Sequence, residues 1–259
     1  MKNLFNSIVI VIALAVSGMI WWFWLGNPAN FKDGLMRHDP INTYGTIHTG
    51  GPLVAVLIGL FLIALTFIVE RFLSIKKANG NGDLSMFIKS VSSNLASGNI
   101  TAALSECEKQ RGSLSNIVRS GLERFQQVAD DNEYDAEKKI AEVQRSIDEA
   151  VNLETPLLER NLVIISTISS IATMIGLLGT TLGMIRAFAA LGASGGAVSA
   201  QALSIGISEA LYNTAFGLAA AIMSIVFYNL LTTKVDNFVY MIDEAILSVM
   251  EILTIKVKK

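Results

Sequence analysis

The amino-acid sequence predicts an all-α membrane protein with about four transmembrane helices, of which the third and fourth are long and extend into a helical cytoplasmic domain. Two observations support this class. Hydrophobic residues make up 52% of the 259-residue chain, and charged residues make up only 16%. The apolar residues are also clustered into runs that are long enough, as helices, to cross a hydrocarbon layer of about 30 Å.

The first hydrophobic segment, residues 1–25, is interpreted as an N-terminal transmembrane helix. Lys2, the apolar run after it and the small residues at 15–18 also resemble a secretory signal peptide, so cleavage of this segment is an open alternative. Three tryptophans favour a retained helix, because indole rings concentrate at membrane interfaces: Trp21, Trp22 and Trp24.

The other predicted segments alternate between membrane and solvent. They are a periplasmic segment at 26–52, a second transmembrane helix at 53–73, a cytoplasmic helical domain at 74–161, a third transmembrane helix at 162–190, a periplasmic loop at 191–204, a fourth transmembrane helix at 205–231 and a cytoplasmic C-terminal helix at 232–259. The cations set this orientation, because basic segments stay in the cytoplasm. Eleven Lys and Arg lie in 74–161 and four follow Leu231, whereas the 191–204 loop has none.

The predicted cytoplasmic parts have helical periodicity. Apolar residues recur at spacings of three and four on both sides of an acidic turn at 130–132, namely Leu114, Ile117, Val118, Leu122, Phe125 and Val128 before it, and Ile140, Val143, Ile147 and Val151 after it. We expect amphipathic helices that pack together, a loop at 79–82, and a kink or interruption at Pro156. A heptad-like spacing predicts that the fourth helix continues beyond the bilayer: Val235, Phe238, Ile242, Ile246, Val249 and Leu253.

Composition and motifs argue against several other functions. The net charge of −2 does not favour a nucleic-acid partner, and the single Cys107 excludes an internal disulfide framework. His38 and His48 have no ligand-like neighbours, so neither a metal site nor a cofactor is predicted. The glycine-rich run at 176–183 lacks the Lys, the preceding strand and the helix N-terminus of a phosphate-binding loop. No nucleophile with a base appears, so an enzyme is not predicted.

Small residues recur at helical spacing along the third and fourth spans. On the third span they follow each other at three, four, three, four and three residues, which places them on one face: Ser166, Ser169, Thr173, Gly176, Thr180 and Gly183. The fourth span has a similar stripe of Gly206, Ala210, Thr214, Gly217, Ala221 and Ser224. Small faces let transmembrane helices approach closely, so the glycines and alanines of both stripes are predicted to pack the two helices together.

Only two ionisable residues occur within these two spans, Arg186 near the outer end of the third and Glu209 about one turn into the fourth. Intramembrane charges are costly and mark candidate functional sites. If the helices are antiparallel neighbours, Thr180 lies about 9 Å inward of Arg186, and Thr214 lies about 7.5 Å inward of Glu209. The two threonines would then share a level. A simple ion pair between Arg186 and Glu209 is the alternative interpretation.

Two runs in these spans resemble the signature helices of the proton-channel family that contains ExbB, TolQ and MotA, and they resemble ExbB and TolQ most. The runs are GLLGTTLGMIRAF at 176–188 and GISEALYNTAFGLAAAI at 206–222, and the dipeptide YN follows at 228–229. In that family the threonines of both motifs line the pore and a glutamate one turn earlier rings it. The resemblance therefore implies pore-lining roles in a proton pathway for Thr180, Thr214 and Glu209.

The resemblance also implies a homopentamer around a central channel in the bacterial inner membrane, with a cytoplasmic C-terminus. A single-span partner similar to ExbD or TolR would supply the aspartate that carries the proton, and a TonB-like protein would be a further partner. The assembly would use the proton gradient to energise outer-membrane processes such as TonB-dependent transport.

Two departures from the family pattern leave alternatives open. Thr173 and Met223 stand where relatives commonly have proline, so the helices are expected to be straighter. The extra first span matches the four-span layout of MotA rather than the three-span pattern of ExbB and TolQ. A TolQ-like or MotA-like stator for envelope maintenance or motility is therefore one alternative, and a non-conducting scaffold subunit of a membrane transporter is another.

Overall fold

The computed structural model describes residues 2–34, 39–129, 134–193 and 200–257. Three features of the sequence analysis lie partly or wholly outside these ranges. They are His38 of the predicted periplasmic segment, the acidic turn at 130–132, and the middle of the predicted 191–204 loop.

Helices account for every regular element among the described residues. The nine α-helices are α1 Lys2–Met19, α2 Thr43–Thr49, α3 Pro52–Asn79, α4 Leu84–Ala96, α5 Ile100–Gln110, α6 Ser113–Ala129, α7 Ala136–Glu159, α8 Leu162–Ala193 and α9 Ala200–Val257. A π-helical segment, Ile20–Leu25, continues α1, and a short 3-10 helix follows at Pro28–Asn30. One isolated bridge joins Phe31 and Pro40.

Four helical stretches are long and apolar enough to cross a membrane: Asn6–Leu25, Pro52–Ala96, Ala136–Ala189 and Leu203–Val257. The all-α membrane fold with about four spans is thereby confirmed. Helix α8 continues to Ala193 and α9 already begins at Ala200, so both helices enter the segment predicted as the 191–204 loop. Helix α9 is a single helix of 58 residues, which agrees with the continuation expected from the spacing of its tail.

The chain divides into two compact units. Unit 1 comprises Met1–Val69 and Asn161–Asn229, and unit 2 comprises Glu70–Arg160 and Leu230–Lys259. Helices α3 and α9 each have one part in unit 1 and the remaining part in unit 2. Unit 1 contains the residues of the two signature motifs, and unit 2 contains α4 to α7.

Helix α1 is tied into unit 1 near its beginning and its middle. The Nδ2 of Asn6 donates to the Oδ1 of Asn161, just before α8, at 2.8 Å. Farther along, a Cβ on Gly59 of α3 would lie 2.8 Å from the Cδ2 of Leu14 and 2.9 Å from the Oγ of Ser17. The glycine therefore allows α1 and α3 to approach closely.

The end of the first apolar stretch is held by Trp21 and His48. Their rings stack with centroids 4.4 Å apart, and the Trp21 Nε1 donates to the His48 carbonyl oxygen at 3.3 Å. Trp21 belongs to the π-helical segment and His48 belongs to α2. These contacts join the end of the first hydrophobic segment to α2 within unit 1.

The helical run before the third span breaks at Arg160 and Asn161 rather than at Pro156. Pro156 lies inside α7, which ends at Glu159. Asn161 has a φ of 63°, a left-handed conformation that asparagine adopts more readily than most residues. The proline lacks a backbone N–H donor, yet α7 continues past it to Glu159.

Arg71 binds the end of α7 within unit 2. Its side chain is buried, and the guanidinium donates to the carbonyl oxygens of Leu157 at 3.2 Å and Leu158 at 3.4 Å. Carbonyl groups in the last turn of a helix lack donors from their own helix, so the arginine satisfies them. Glu70 accepts two further hydrogen bonds from Arg71, at 2.7 and 2.5 Å, which neutralise the buried charge.

The core of unit 2 follows the predicted periodicity. All six apolar residues of the stripe on α6 are buried, and Val143 and Ile147 of α7 are buried as well. Gly121 leaves room for this contact, since a Cβ there would lie 2.6 Å from Ile147. In the tail of α9, Ala245 is fully buried and Ile246 is only half-buried, so the stripe differs from the predicted heptad at that point.

Candidate functional site

Glycines bring α8 and α9 into backbone contact. A Cβ on Gly217 would lie 2.6 Å from the carbonyl oxygen of Ala172 and 2.8 Å from the Cα of Gly176. Farther along the contact, the Ser169 hydroxyl donates to the carbonyl oxygen of Ala221 at 3.3 Å. No side chain larger than hydrogen fits at Gly217 without moving one of the helices.

The same close approach continues toward the other end of the two helices. A Cβ on Gly183 would lie 2.8 Å from the Cβ of Ala210, and a Cβ on Gly206 would lie 2.9 Å from the Cβ of Ala187. Residue numbers rise along α8 as they fall along α9, so the two helices are antiparallel. The structure thus brings Gly183 and Ala210 of the two predicted stripes together, whereas Gly206 lies against Ala187, which is outside them.

The hydroxyl groups of Thr180 and Thr214 form a hydrogen bond across this contact. Each hydroxyl oxygen also lies 3.2 Å from the carbonyl oxygen of Gly176. A hydroxyl has one proton to donate, so one threonine donates to the other while the second donates to Gly176. Rotation of both hydroxyl groups exchanges these roles. The pair therefore has two equivalent hydrogen-bonding arrangements.

Thr181, the second threonine of the motif, lies on a different face of α8. Its side chain is exposed on this chain, and its hydroxyl donates to the carbonyl oxygen of Leu178 at 2.8 Å. The two adjacent threonines thus have different environments, and Thr181 provides a matched control for Thr180.

Arg186 and Glu209 lie beyond the threonine pair, toward the ends of α8 and α9 that the sequence predicts to be outermost. The Nη1 of Arg186 is 3.8 Å from the Oε2 of Glu209, and their side chains are 58% and 14% exposed. At this separation the charges attract each other without a direct hydrogen bond. The structure contains the ion pair considered as the alternative interpretation, and it encloses the carboxylate much more than the guanidinium.

Asn213 is a polar residue of the site that the sequence analysis did not single out. Its side chain is 2% exposed, and its Nδ2 donates to the carbonyl oxygens of Gly50 at 3.0 Å and Glu209 at 3.1 Å. A Cβ on Gly179 would lie 2.4 Å from the Cβ of Asn213, so that glycine makes room for it. The sequence feature that could have identified Asn213 is an amide side chain inside an apolar span, because polar groups are costly there.

The described residues contain neither a cluster that could bind a metal ion nor a reactive thiol. No group of three or more His, Cys, Asp and Glu among the described residues is arranged to hold a metal ion. Cys107 lies in α5 of unit 2, and burial raises the pKa of its thiol to about 12. A thiol with so high a pKa reacts slowly at neutral pH.

The fold and the site define a multi-span helical membrane protein in which two antiparallel helices carry hydroxyl groups and one carboxylate within their apolar lengths. The model of the MotA/TolQ/ExbB proton channel family matches residues 109–244, which is more than half of the chain. The chain belongs to this family. The matched range contains Thr180, Arg186, Glu209, Asn213 and Thr214, and it ends within the tail of α9.

Individual relatives point to the same family. The chain is 44% identical over 88 residues to the Biopolymer transport protein ExbB of Helicobacter pylori strain J99, covering 34% of this chain and 58% of that protein. It is 35% identical over 116 residues to the Tol-Pal system protein TolQ of Haemophilus influenzae, covering 45% of this chain and 50% of that protein. The chain therefore spans little more than half the length of these two relatives.

A longer match extends beyond the two motifs. Over 204 residues the chain is 25% identical to the Putative biopolymer transport protein ExbB homolog of Methanothermobacter thermautotrophicus. This match covers 77% of this chain and 68% of that protein.

Replacing Gly217 by alanine should separate α8 and α9. The added Cβ would meet backbone atoms of Ala172 and Gly176, which cannot rotate away, so the helices must move apart and the bond between the threonines must lengthen. We expect the Gly217→Ala protein to lose about 1–3 kcal/mol of stability. The measurement is the midpoint of thermal unfolding of the purified protein in detergent.

Gly192→Ala is the matched control, because a Cβ on Gly192 in α8 has no atom within 4 Å. This variant should unfold at the midpoint of the unmodified protein. Equal midpoints for the two alanine variants would show that the close approach at Gly217 is not needed.

Proposed function

We propose that this chain is the channel subunit of a proton-driven stator in the bacterial inner membrane. It would work with a single-span partner similar to ExbD or TolR and energise outer-membrane processes such as TonB-dependent transport. The observation that carries the proposal is the hydroxyl pair of Thr180 and Thr214 at the contact of α8 and α9. Membership of a proton channel family supports it.

A hydroxyl pair suits the passage of protons through an apolar environment. Each hydroxyl group both accepts and donates a hydrogen bond. The two arrangements differ in which threonine donates to the other and which donates to Gly176. No permanent charge is buried, so the large cost of an ion in the membrane is avoided. Glu209, a little more than one turn outward of Thr214 on α9, would exchange protons with the outer side.

The proposed path is incomplete in this chain. No aspartate occurs in any of the four predicted spans, and Glu209 lies nearer the outer end than the middle. Proton-driven movement needs a titratable group that gains and loses its proton near the centre. An aspartate on the single helix of a partner would supply it, with several copies of this chain, a homopentamer, surrounding that helix.

The proposed orientation places α4 to α7 and the tail of α9 in the cytoplasm. These regions carry most of the cations of the chain, and basic segments stay on the cytoplasmic side of the inner membrane. A TonB-like protein would act on the outer side as a further partner.

Two alternative functions each have an observation in their favour. A TolQ-like or MotA-like stator is supported by the similarity to a Tol-Pal system protein and by the fourth apolar helix. A non-conducting scaffold subunit is supported by the 3.8 Å separation of Arg186 and Glu209, since an ion pair would give the carboxylate a structural purpose.

Valine at either position of the threonine pair should impair proton transfer. Thr180→Val and Thr214→Val keep the side-chain volume and remove the hydroxyl, so neither of the two hydrogen-bonding arrangements can form. We expect proton flux through the reconstituted complex to fall about tenfold, which corresponds to the roughly 1–2 kcal/mol of a lost buried hydrogen bond. The flux is measured with a pH-sensitive dye in liposomes, and assembly is measured by size exclusion.

Thr181→Val is the control for this experiment and should retain the original flux, because its hydroxyl bonds only within α8. If Thr181→Val is as damaging as Thr180→Val, the hydroxyl pair is not the path.

Removal of the Glu209 carboxylate should abolish coupling while membrane insertion and assembly persist. Glu209→Ala takes away the only carboxylate of the fourth span, whereas Arg186→Ala leaves that carboxylate in place. In a strain that depends on this chain, we expect loss of the energised process with Glu209→Ala and much of it retained with Arg186→Ala. Equal losses in both variants would favour the ion pair as the role of Glu209.

The purified chain alone should assemble into a ring and conduct few protons in liposomes, because it lacks a central titratable group. Addition of a single-span partner that carries an aspartate should raise the flux, and Asp→Asn in that partner should reverse the gain. Flux through the chain alone that equals flux through the complex would identify a self-sufficient channel and overturn the division of roles proposed above.

A further inference from the structure

Residues 49–51, which run from the last residue of α2 to the residue before α3, lie against polar side chains at the predicted outer end of the site, and we name them the outer turn. Gly50 accepts a hydrogen bond from the Nδ2 of Asn213 at 3.0 Å. A Cβ on Gly51 would lie 3.7 Å from the Nη1 of Arg186. The outer turn thus contacts α9 and lies close to α8.

The outer turn is joined through Asn213 to the backbone of Glu209. The same Nδ2 that binds Gly50 donates to the carbonyl oxygen of Glu209 at 3.1 Å, and the Glu209 side chain is only 14% exposed. Gly51 has a φ of 80°, which residues with side chains rarely adopt, and it allows the chain to turn sharply into α3. One short segment therefore lies close to Arg186, binds Asn213 directly and is joined through Asn213 to Glu209.

Asn213 is oriented by the two carbonyl groups that its amide meets. Its Nδ2 donates to Gly50 and to the backbone of Glu209, so a flipped amide would place an oxygen against two oxygens. The side chain is almost completely buried, and Gly179 leaves the space that it occupies. The amide therefore has one acceptable orientation, with its donors toward the outer turn and the preceding turn of α9.

Packing alone does not account for an amide at this position. The Oδ1 of Asn213 is buried and has no hydrogen-bond partner among the described residues, which is unfavourable. A leucine of similar volume would fill the same space without leaving an acceptor unsatisfied. What the amide adds is its N–H group, and that group binds the backbone of the outer turn.

We infer that Asn213 is a positioning residue whose amide holds the outer turn against α9 and thereby shields the Glu209 carboxylate from water on the outer side. Asn213 lies one helical turn after Glu209 and directly before Thr214. The significance of the shielding rests on the proposed function: a shielded carboxylate exchanges protons through the protein rather than freely with the solution. The contact itself is independent of that proposal.

The test is the accessibility of the outer turn in the full chain, held in lipid nanodiscs. Thr49→Cys is modified with a negatively charged, membrane-impermeant maleimide, and its rate is compared with and without Asn213→Leu. The native Cys107 is buried and is replaced by serine in every variant. We expect Asn213→Leu to raise the rate roughly three- to tenfold, as loss of one buried hydrogen bond predicts.

Asn229→Leu is the matched control, because it makes the same change about 24 Å farther along α9. It should leave the rate of Thr49→Cys modification unchanged. If Asn213→Leu does not assemble, Asn213→Ala serves in the same comparison. Faster hydrogen exchange of the backbone amides of Gly50, Gly51, Leu53 and Val54, measured without any cysteine substitution at Thr49, is the second expected result.

Unchanged modification and unchanged exchange in the Asn213 variants would overturn the inference, whatever happens to proton flux. The proposed function is tested separately, by proton flux of the Asn213→Leu chain with its single-span partner. Faster modification with unaltered flux would support the positioning role of Asn213 and contradict the proposed role of Glu209 in the proton path.

Discussion

The backbone contact between Gly176 and Gly217 is the constraint on which the rest of the site depends. Lipid provides no hydrophobic force between helices, so α8 and α9 associate through close packing and through hydrogen bonds that this packing permits. At this separation the hydroxyl groups of Thr180 and Thr214 reach each other, and one carbonyl oxygen of Gly176 lies within 3.2 Å of both. Larger residues at either glycine would separate the helices and remove both hydrogen bonds that the Thr214 hydroxyl makes to α8. The hydrogen bond between the two threonines therefore depends on glycine at both positions 176 and 217.

The two charged residues of the third and fourth predicted spans form an ion pair that lies away from the threonine pair. Arg186 and Glu209 face each other toward the predicted outer ends of their helices, and Arg71 is bound by Glu70 where the second apolar stretch ends. This arrangement follows from the cost of removing an ion from water, which is lowered by a partner and by proximity to the membrane surface. Inward of Arg186 and Glu209, the contact of α8 and α9 carries the neutral hydroxyl groups of Thr180 and Thr214, where a permanent charge would be more expensive.

The region shared with the family and the region outside it meet at Asn213. The family match covers residues 109–244, so α1, α2 and the outer turn lie before it. Asn213, inside the match, bonds to Gly50, outside it. A segment without a counterpart in the match thus supplies a backbone acceptor at the edge of the shared site, and α1 is joined to the same unit through Asn6, Gly59 and Trp21.

Apolar run lengths and helical periodicity by themselves determined the number of spans and the small faces of α8 and α9, because each is set by counting along one helix. The shared level of Thr180 and Thr214 required in addition that the two helices are antiparallel neighbours, which the tertiary structure shows. The place of the break at Asn161, the burial of Ala245 in preference to Ile246, and the bonds of Arg71 and Asn213 were decided only by the tertiary structure. Asn213 and Gly50 are 163 residues apart. Local sequence fixes the direction in which a side chain leaves its own helix, whereas packing of distant elements decides which partner lies in that direction.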